Sequence, residues 1–430
     1  MRYLPINKSF FIQNRMEFCS KLKPNAVAVF VSHDIYPTNA DATFSFKQNN
    51  DLFYLCGIDQ EDTMLILYPD AKEAKHKTIL FIRETNEHIA IWEGEKLSQK
   101  QAKELSGIDY VLWEKDFEDT LATILPLAEY IYLNANEHGR ADKKILTREE
   151  RFKEDITLRY PKHSIERAAP LMHELRVIKK TAEIEQIKTA CSITKKAFDR
   201  VLSFTIPGVY EFEIEAEIAH EFLKNRSAGP AYSSIIASGK DACVLHYVTN
   251  NKVCKDGDVI LMDFGAEYGN YASDLTRTIP VNGIFTPRQK VVYQAVLSIL
   301  KQSTQLLYPG NTFESYQKSV NEMVEKELVK LGLLDEQEVL KQDPKNPLFR
   351  KYFMHGISHF LGLDVHDVGD RTGIMKAGMI LTCEPGIYIK EEGLGIRLEN
   401  NILIDYEGPI NLTEAIPIEI NDIERLMKKK

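Results

Sequence analysis

The sequence lacks a long apolar run and an excess of positive charge. Its longest apolar runs, such as Val259 to Met262 and Ile402 to Ile404, are far shorter than the roughly 20 residues that span a bilayer. The 54 Lys and Arg residues against 63 Asp and Glu residues give a formal net charge of −9. No broad basic field can then attract nucleic acid or anionic lipid. We therefore expect a protein that binds neither a membrane nor nucleic acid.

Paired cysteines and an export signal are also absent. The six cysteines form no C-x-x-C pair, and a chain of 430 residues can build its core without disulfides. The first 15 residues contain no apolar stretch of signal-peptide length. We predict reduced thiols and a cytoplasmic location, since disulfides persist mainly in oxidising compartments.

The first part of the chain has the pattern of an α/β domain. A length of 430 residues, with 44% hydrophobic and 27% charged residues, suits a globular protein of more than one domain. Short β-rich runs alternate with polar, helix-compatible stretches, which favours a mixed α/β layer structure. The runs are Ala26 to Val31, Met64 to Leu67, Thr78 to Ile82 and Tyr130 to Leu133, and the stretches include Leu97 to Glu104 and Phe117 to Leu125. We assign residues 1–165 to this domain.

The remaining residues, 166–430, have a different and repeated pattern. Apolar residues that recur every three or four positions from Ile184 to Val201 predict one face of a long amphipathic helix. Two helical patterns and two strand-rich segments occupy about 175–281, and the same order returns over about 287–404. Because no βαβ alternation is present, we predict an α+β domain with a mostly antiparallel sheet and helices on one face.

Two aspartates flank a predicted hairpin in the first strand-rich segment. If Tyr268-Gly269 is the hairpin loop, residues whose numbers sum to 537 lie opposite, and Asp263 faces Asp274 at about 5 Å between Cβ atoms. Like charges this close, among apolar neighbours, need cations or a shared proton. A metal site is one interpretation. A pair of solvated aspartates at a hairpin edge is the other.

Further candidate ligands follow in the second strand-rich segment. They are His355, His359 and His366 in Y-F-M-H-G-I-S-H-F-L-G-L-D-V-H-D-V-G, Glu384 in L-T-C-E-P-G-I-Y, and Arg397 and Glu399 in G-I-R-L-E-N-N-I-L-I. A single histidine is usually structural, and an Arg-x-Glu pair on one strand face is usually a surface ion pair. Their joint occurrence near strand ends of one domain favours a functional site.

The charges of these candidates suit two divalent cations. Four carboxylates, from Asp263, Asp274, Glu384 and Glu399, supply −4, and one neutral imidazole completes the set. Carboxylate-rich ligation with one histidine suits Mn²⁺, and Co²⁺ or Zn²⁺ can also occupy such a site. Two metals about 3.5 to 4 Å apart can hold a bridging water and deliver it as hydroxide to a polarised carbonyl. This arrangement predicts a hydrolase.

These motifs resemble the metal-dependent aminopeptidases of the pita-bread fold, and within them the Xaa-Pro aminopeptidases. The resemblance rests on D-F-G-A-E-Y-G-N-Y-A-S-D, H-G-I-S-H-F-L-G-L-D-V-H-D-V-G, C-E-P-G-I-Y and I-R-L-E-N, in that order, over roughly residues 165 to 420. It implies five metal ligands, with Asp274 and Glu399 bridging both ions. The five are Asp263, Asp274, His359, Glu384 and Glu399.

The same resemblance implies roles for residues around the metals. The implied catalytic residues are His246, His355, His366 and Glu384, and the implied substrate-binding residues are Tyr388 and Arg397. His246 in V-L-H-Y and His366 match positions that flank the scissile bond and stabilise the oxyanion. Glu384 would also carry a proton from the attacking water to the leaving nitrogen.

The N-terminal half resembles the creatinase-type cap domain of the same family. Residues 46–57, F-K-Q-N-N-D-L-F-Y-L-C-G, are similar to an aminopeptidase P segment, with Lys47 where arginine is commoner and Asn50 where serine is commoner. In this family the cap of one subunit often borders the active site of another. The resemblance therefore implies a homo-oligomer, and we expect a homodimer or homotetramer.

The implied reaction is release of the N-terminal residue from peptides with proline in the second position. The Xaa-Pro bond has no N–H, so its pocket must accept a tertiary amide and a ring. A prolidase that cleaves Xaa-Pro dipeptides is the main alternative, and Ser358 in H-G-I-S-H favours the aminopeptidase. Methionine aminopeptidases generally lack so large an N-terminal domain. A metal-free creatinase-like enzyme or a non-catalytic peptide-binding protein conflicts with five retained ligands.

Overall fold

The computed structural model describes residues 2–141 and 144–428. The chain divides into two compact units, Tyr3–Arg176 and a second that begins at Val177. The predicted boundary after residue 165 falls inside the strand Ser164–Arg167, which pairs with Tyr130–Leu133 of the first unit. Among the described residues, no helix is long and apolar enough to cross a membrane.

The first unit is built around one mixed six-stranded sheet. Its strands are β1 (Ala26–Val31), β2 (Met64–Leu67), β3 (Thr78–Ile82), β4 (Tyr110–Trp113), β5 (Tyr130–Leu133) and β6 (Ser164–Arg167). The spatial order is β4-β3-β2-β1-β5-β6, with β2 antiparallel to both neighbours and the other pairs parallel. The helices are α1 (Lys8–Cys19), α2 (Asn50–Cys56), α3 (Glu87–Glu93), α4 (Gln99–Ser106), α5 (Phe117–Ile124), α6 (Arg148–Arg159) and α7 (Ala169–Val177).

The apolar runs of the sequence form the core of this sheet. All six residues of β1, A-V-A-V-F-V, are buried, as expected for a central strand with both faces covered. The four predicted strands have the bounds of β1, β2, β3 and β5. The predicted helices correspond to α4 and α5, with ends displaced by one or two residues. The α/β prediction for this region is confirmed.

The second unit repeats an order of two helices followed by strands. Its helices are α8 (Thr181–Phe204), α9 (Glu211–Lys224), α10 (Pro287–Thr304), α11 (Phe313–Lys330), α12 (Glu336–Val339) and α13 (Ile420–Met427). Its strands are β7 (Ile235–Ser238), β8 (Val259–Asp263), β9 (Glu267–Tyr268), β10 (Tyr271–Ala272), β11 (Thr276–Pro280), β12 (Ile380–Cys383), β13 (Gly386–Ile389), β14 (Leu394–Arg397), β15 (Asn400–Leu403) and β16 (Ile410–Asn411).

Every strand pair recorded for the second unit is antiparallel. Three-stranded sheets have the orders β11-β8-β7 and β12-β15-β16, and two-stranded sheets join β9 with β10 and β13 with β14. Helix α8 buries Ile187, Cys191, Phe198 and Val201, which lie on the predicted apolar face. The predicted duplicated, mostly antiparallel α+β fold is confirmed.

The predicted turn of the hairpin after β8 was wrong by one residue, which displaces the strand pairing by two residues. Gly269 and Asn270 form the loop, with φ of 60° and 66°, and Tyr268 pairs with Tyr271. Two successive positive φ values are the requirement of a type I′ turn, which Gly-Asn meets at low cost. Asp263 therefore pairs with Thr276 rather than with Asp274. The two aspartates share one face of the hairpin as diagonal neighbours.

Candidate metal centre

The candidate ligands lie at strand ends of the second unit. Asp263 is the last residue of β8, and Asp274 lies two residues before β11. Glu384 follows β12 directly, and Glu399 precedes β15 directly. Because β8 pairs antiparallel with β11 and β12 with β15, the end of one strand meets the start of its partner. The fold therefore brings these carboxylates to shared sheet edges.

A tyrosine joins the two aspartates. The Tyr232 hydroxyl lies 2.6 Å from Asp263 Oδ1 and 2.5 Å from Asp274 Oδ1. A single hydroxyl donates one proton, so one of these contacts is repulsive when both carboxylates are ionised. Burial raises the pKa of Tyr232 far above 10, and the charges of Asp263 and Asp274 add to this effect. Tyr232 therefore remains a neutral donor between two acids.

Glu399 is buried with one oxygen unsatisfied. Its Oε2 accepts a hydrogen bond from Thr276 Oγ1 at 2.7 Å, while Oε1 has no hydrogen-bond partner within residues 2–141 and 144–428. Asp274, His359 and Glu399 each offer a ligand atom, and these atoms lie within 4.8 Å of one another. An orphaned, buried carboxylate oxygen beside a second carboxylate and an imidazole is the environment expected for a cation ligand.

The imidazole of His359 is oriented by the backbone. Its Nδ1 lies 2.9 Å from the Phe360 carbonyl oxygen, so Nδ1 carries the proton and donates it there. Its Nε2 lies 3.3 Å from Asp274 Oδ2 and 3.8 Å from Glu384 Oε1. A carbonyl that accepts the Nδ1 proton in this way fixes the tautomer that can bind a metal, with the Nε2 lone pair directed at the acids.

The carboxyl groups of the site carry opposing pKa shifts. Burial raises the pKa of Glu384 to about 7, with His359 and Arg397 opposing and Asp274 supporting the shift. Burial and the neighbouring acids raise the pKa of Glu399 well above its usual value, and burial also raises the pKa of Asp263. Burial alone would raise the pKa of Asp274, but without a metal a protonated His359 donates from Nε2 to this carboxylate, and together with the Tyr232 hydrogen bond it lowers the pKa.

The raised pKa values of Asp263, Glu384 and Glu399 indicate that ionising these carboxyl groups together is costly without added positive charge. Oxygen donors with one imidazole suit hard or borderline divalent cations. The residues present therefore fit a divalent metal centre. The orphaned Oε1 of Glu399 is the clearest single mark of that fit.

A buried chain of hydrogen bonds links Arg397, Tyr388 and His355 beside the acids. Arg397 donates from Nη2 to Asp263 Oδ2 at 2.5 Å and from Nη1 to the Tyr388 hydroxyl at 3.0 Å. The Tyr388 hydroxyl lies 2.8 Å from His355 Nε2, and His355 Nδ1 lies 2.8 Å from the Gly356 carbonyl oxygen. Burial lowers the pKa of His355 to about 4, and the charge of Arg397 adds to this effect. His355 is therefore neutral, accepting from Tyr388 and donating to Gly356.

The two remaining predicted histidines are exposed. The ring of His366 packs edge-to-face on that of His359, with 4.3 Å between centroids. His246 lies in the loop after β7 and is close enough to His355 for its charge to lower the pKa of that residue. By contrast, Tyr388 and Arg397 are buried. Tyr388 contacts His355 and Arg397 contacts Asp263, so both are separated from solvent by these two residues.

Sequence reasoning missed three residues that hold the site together. Tyr232 bridges the aspartates, and Thr276 Oγ1 accepts from Arg397 Nε at 3.0 Å while donating to Glu399. Asn401 brackets the backbone of Asp274, accepting from its N–H at 3.0 Å and donating to its carbonyl at 2.6 Å. Thr276 lies opposite Asp263 once the Gly269-Asn270 turn is recognised, so the Gly-Asn dipeptide was the available signal.

Family models match both units of the chain. The model described as metallopeptidase family M24 matches residues 185–406, and the model described as aminopeptidase P, N-terminal domain, matches residues 11–132. The first covers strands β7 to β15 and all five candidate ligands. The family resemblance inferred from the motifs is confirmed by these matches.

Individual relatives agree with the family models. The chain is 34% identical to Xaa-Pro aminopeptidase of Escherichia coli K12, over 98% of each chain, and 31% identical to human Xaa-Pro aminopeptidase 3, over 93% of this chain and 80% of that one. Zinc-substituted E. coli aminopeptidase P in complex with product matches with a TM-score of 0.87, 33% identity and 99% coverage of both chains. Pseudomonas aeruginosa aminopeptidase PepP matches with a TM-score of 0.88, 30% identity and coverage of 100% and 99%. The chain therefore belongs to metallopeptidase family M24, and its N-terminal unit contains the aminopeptidase P N-terminal domain.

Proposed function

We propose that this chain is an Xaa-Pro aminopeptidase that binds two divalent metal ions and releases the first residue of peptides with proline in the second position. The observation that carries the proposal is the cluster of Asp274, His359 and Glu399, with one oxygen of Glu399 unsatisfied, Glu384 3.8 Å from His359 and Asp263 joined to Asp274 through Tyr232. The family and the relatives named Xaa-Pro aminopeptidase support this substrate class.

Five residues are proposed to hold the metals. They are Asp263, Asp274, His359, Glu384 and Glu399. The family resemblance implies that Asp274 and Glu399 would serve both ions, and both lie in the cluster that also includes His359. Two divalent ions would polarise the scissile carbonyl and lower the pKa of a water at the site. Mn²⁺ is the proposed ion, with Co²⁺ and Zn²⁺ as ions that the same donors accept.

Glu384 is the proposed proton carrier. Its carboxylate accepts a proton from the attacking water and passes it to the leaving prolyl nitrogen as the C–N bond breaks and the new C–O bond forms. A carboxylate beside the attacking water can accept and release a proton in turn, as general acid–base catalysis requires. Its Oε2 lies 3.9 Å from His355 Nδ1, so the acid faces the histidine side of the site.

The histidines are proposed to bind and orient the peptide. His246 and His366 have exposed rings that can donate to the substrate carbonyl as it gains negative charge. His355 has both nitrogens engaged, by Tyr388 and Gly356, and is proposed to shape the substrate-facing wall. Tyr388 and Arg397, both buried, are proposed to act on substrate through His355 and Asp263.

Three further properties are proposed from the family resemblance and the thiols. The proline pocket accepts a tertiary amide and does not require a hydrogen bond from the N–H of the scissile amide. The chain assembles as a homodimer or homotetramer, with the cap of one subunit beside the site of another. A cytoplasmic location is consistent with six cysteines that form no disulfide.

Product analysis by chromatography tests the function. Mn²⁺-loaded protein is incubated with an Xaa-Pro dipeptide, an Xaa-Pro-Yaa-Zaa tetrapeptide and a matched Xaa-Ala-Yaa-Zaa control. Release of the first residue from the proline tetrapeptide, but not from the alanine tetrapeptide, supports the proposal. Cleavage of the dipeptide without the tetrapeptide would instead identify a prolidase. Cleavage of neither, after Mn²⁺ loading, would favour a non-catalytic peptide-binding protein.

A further inference from the structure

The loop of residues 360–369 carries His366 to the metal centre without any strand of its own. It begins after His359 and folds back on itself, since the Asp367 N–H donates to the Phe360 carbonyl at 2.9 Å. The ring of His366 contacts that of His359. The position of His366 therefore depends on what holds a non-regular loop in place.

The next residue along the chain is held by a buried ion pair. Asp367 Oδ2 lies 2.8 Å from Lys179 Nζ, and both side chains are only 1% exposed. Lys179 lies just before α8, and its N–H donates to the Gly378 carbonyl at 2.8 Å. The backbone of Lys179 is thus tied to Gly378, while its ammonium group pairs with the loop.

The loop backbone packs directly on this pair. A Cβ built on Gly362 would lie 2.1 Å from Asp367 Oδ2 and 2.9 Å from Lys179 Cε, so only glycine allows the approach. The Gly362 carbonyl also accepts from the Ala272 N–H at 2.8 Å, which ties the loop to the hairpin that carries Asp274. Both the start and the end of the loop are therefore fixed around the two charged side chains.

A buried ion pair contributes little net stability over an apolar pair of the same volume, because desolvation offsets the attraction. What such a pair provides, in systems where it is retained, is one defined arrangement. Here the ion pair fixes the position of Asp367, which directly follows His366 in the chain. Lys179 and Asp367 are not among the candidate ligands or the proposed substrate-binding residues.

We propose that the Lys179–Asp367 ion pair is a positioning device that fixes the imidazole of His366 beside His359 for peptide cleavage. The inference deepens the proposed function and rests on it for the role of His366. Neither Lys179 nor Asp367 touches substrate. Both act through the loop, so their removal is expected to remove the contribution of His366 to turnover.

A double-mutant cycle on the Mn²⁺-loaded full chain tests this. The pair is neutralised as Lys179→Met/Asp367→Asn, and His366→Ala is made in both backgrounds, with kcat and KM measured on the Xaa-Pro tetrapeptide. We expect His366→Ala to lower kcat at least tenfold in the wild type and less than twofold in the neutralised background. Tenfold losses in both backgrounds would overturn the proposal.

A matched control separates positioning from general destabilisation. Arg176 and Asp51 form a comparable pair in the first unit, with 2.7 Å between Nη1 and Oδ1 and side chains 5% and 10% exposed. In the background Arg176→Met/Asp51→Asn, His366→Ala is expected to keep its full tenfold effect. A reduced effect there would show that loss of any buried ion pair mimics the result, and would contradict a specific role for Lys179 and Asp367.

Crystal structures provide a readout independent of activity. In the neutralised variant, the His366 ring is expected to leave its 4.3 Å contact with His359, while the wild type retains it. An unchanged ring position would overturn the proposal even if no peptide were cleaved. If the wild type does not cleave Xaa-Pro peptides, only the proposed function is refuted. If the double variant does not fold, Asp367→Asn alone, which keeps an amide oxygen for Lys179, enters the same cycle and crystal comparison.

Discussion

The central strands of the first unit are apolar along their whole length, whereas strands of the second unit end in buried charged side chains. Strands β1 and β2 contain only buried apolar residues, and the buried ion pair of that unit, Arg176 with Asp51, lies on helices α7 and α2 rather than at a strand end. In the second unit, Asp274, Arg397 and Glu399 are all at most 5% exposed. Burying charge is costly unless it is paired or binds a cation. The difference therefore locates the chemistry in the second unit.

The largest expected effect comes from removing a ligand of the second unit. His359→Ala or Asp274→Ala is expected to lower kcat/KM at least about 1,000-fold, equivalent to about 4 kcal/mol of transition-state stabilisation. The reason is that each removes a donor from the cluster with Glu399. Kinetics on the Xaa-Pro tetrapeptide measure the loss, and circular dichroism checks the fold. His220→Ala, at an exposed position on α9, is the control. Full activity in either purified ligand variant would refute the assignment.

Removing a core side chain of the first unit is expected to lower stability while leaving metal binding unchanged, the opposite of removing a ligand. Phe30 is fully buried in β1 and packs edge-to-face on Phe18 at 5.3 Å. Phe30→Ala is expected to lower the free energy of unfolding by about 3–5 kcal/mol through lost burial and a residual cavity. Metal content of the folded protein, measured by elemental analysis, is expected to equal that of the wild type. A parallel loss of metal would contradict the assignment of metal binding to the second unit alone.

A buried acid outside the ligand set makes the stability of the second unit depend on pH. Burial raises the pKa of Glu183 to about 7 from 4.5, despite the opposing Lys180 amide and Lys179 ammonium. Between pH 4.5 and 7 the native state therefore binds more protons than the unfolded state, and stability falls as pH rises. This single group is expected to contribute about 3 kcal/mol over that window.

Replacing that acid by an amide tests the assignment. Glu183→Gln is expected to flatten the decline of unfolding free energy with pH, as measured by urea unfolding at pH 4.5, 6 and 7.5. Glu213→Gln, at the same position in the first turn of α9, controls for loss of a capping carboxylate, since Glu213 Oε2 accepts from the Tyr210 N–H at 2.7 Å. An unchanged slope in Glu183→Gln would contradict the raised pKa.

The smallest effect is expected at a surface pair of the first unit. Lys21 Nζ lies 2.8 Å from Glu174 Oε1, with side chains 29% and 65% exposed. Lys21→Ala is expected to change the free energy of unfolding by less than about 1 kcal/mol, because solvent screens the pair. Denaturant unfolding measures this change. A decrease in the free energy of unfolding as large as that of Phe30→Ala would show that this surface ion pair stabilises the unit as much as a core side chain does.

The sequence predicted the first unit well because its signals are local. Strand β1 is a continuous apolar run bounded by polar residues, so its limits coincide with a change in composition. The candidate ligands were also locatable, since each lies in a short motif at a strand end. In contrast, the register that relates Asp263 to Asp274 depends on which two residues adopt positive φ, and Tyr268-Gly269 was the wrong choice.

Contacts between distant segments could not be derived from the sequence. Tyr232 is 31 residues from Asp263 and 42 from Asp274, and no spacing rule indicates that its hydroxyl joins them. Asn401 brackets Asp274 across 127 residues. The Tyr232 contacts lie within the first repeat and the Asn401 contact joins the two repeats, and local periodicity specifies neither kind of contact.

The most direct test of the central claim is metal stoichiometry. Wild-type protein and Asp274→Ala are equilibrated with excess Mn²⁺, desalted and analysed for bound metal per chain. Two ions per wild-type chain, with a clear loss in a folded Asp274→Ala variant, is the predicted result. A folded wild-type chain that retains no Mn²⁺, or a variant with the same content as the wild type, would contradict the assignment of these buried acids as ligands.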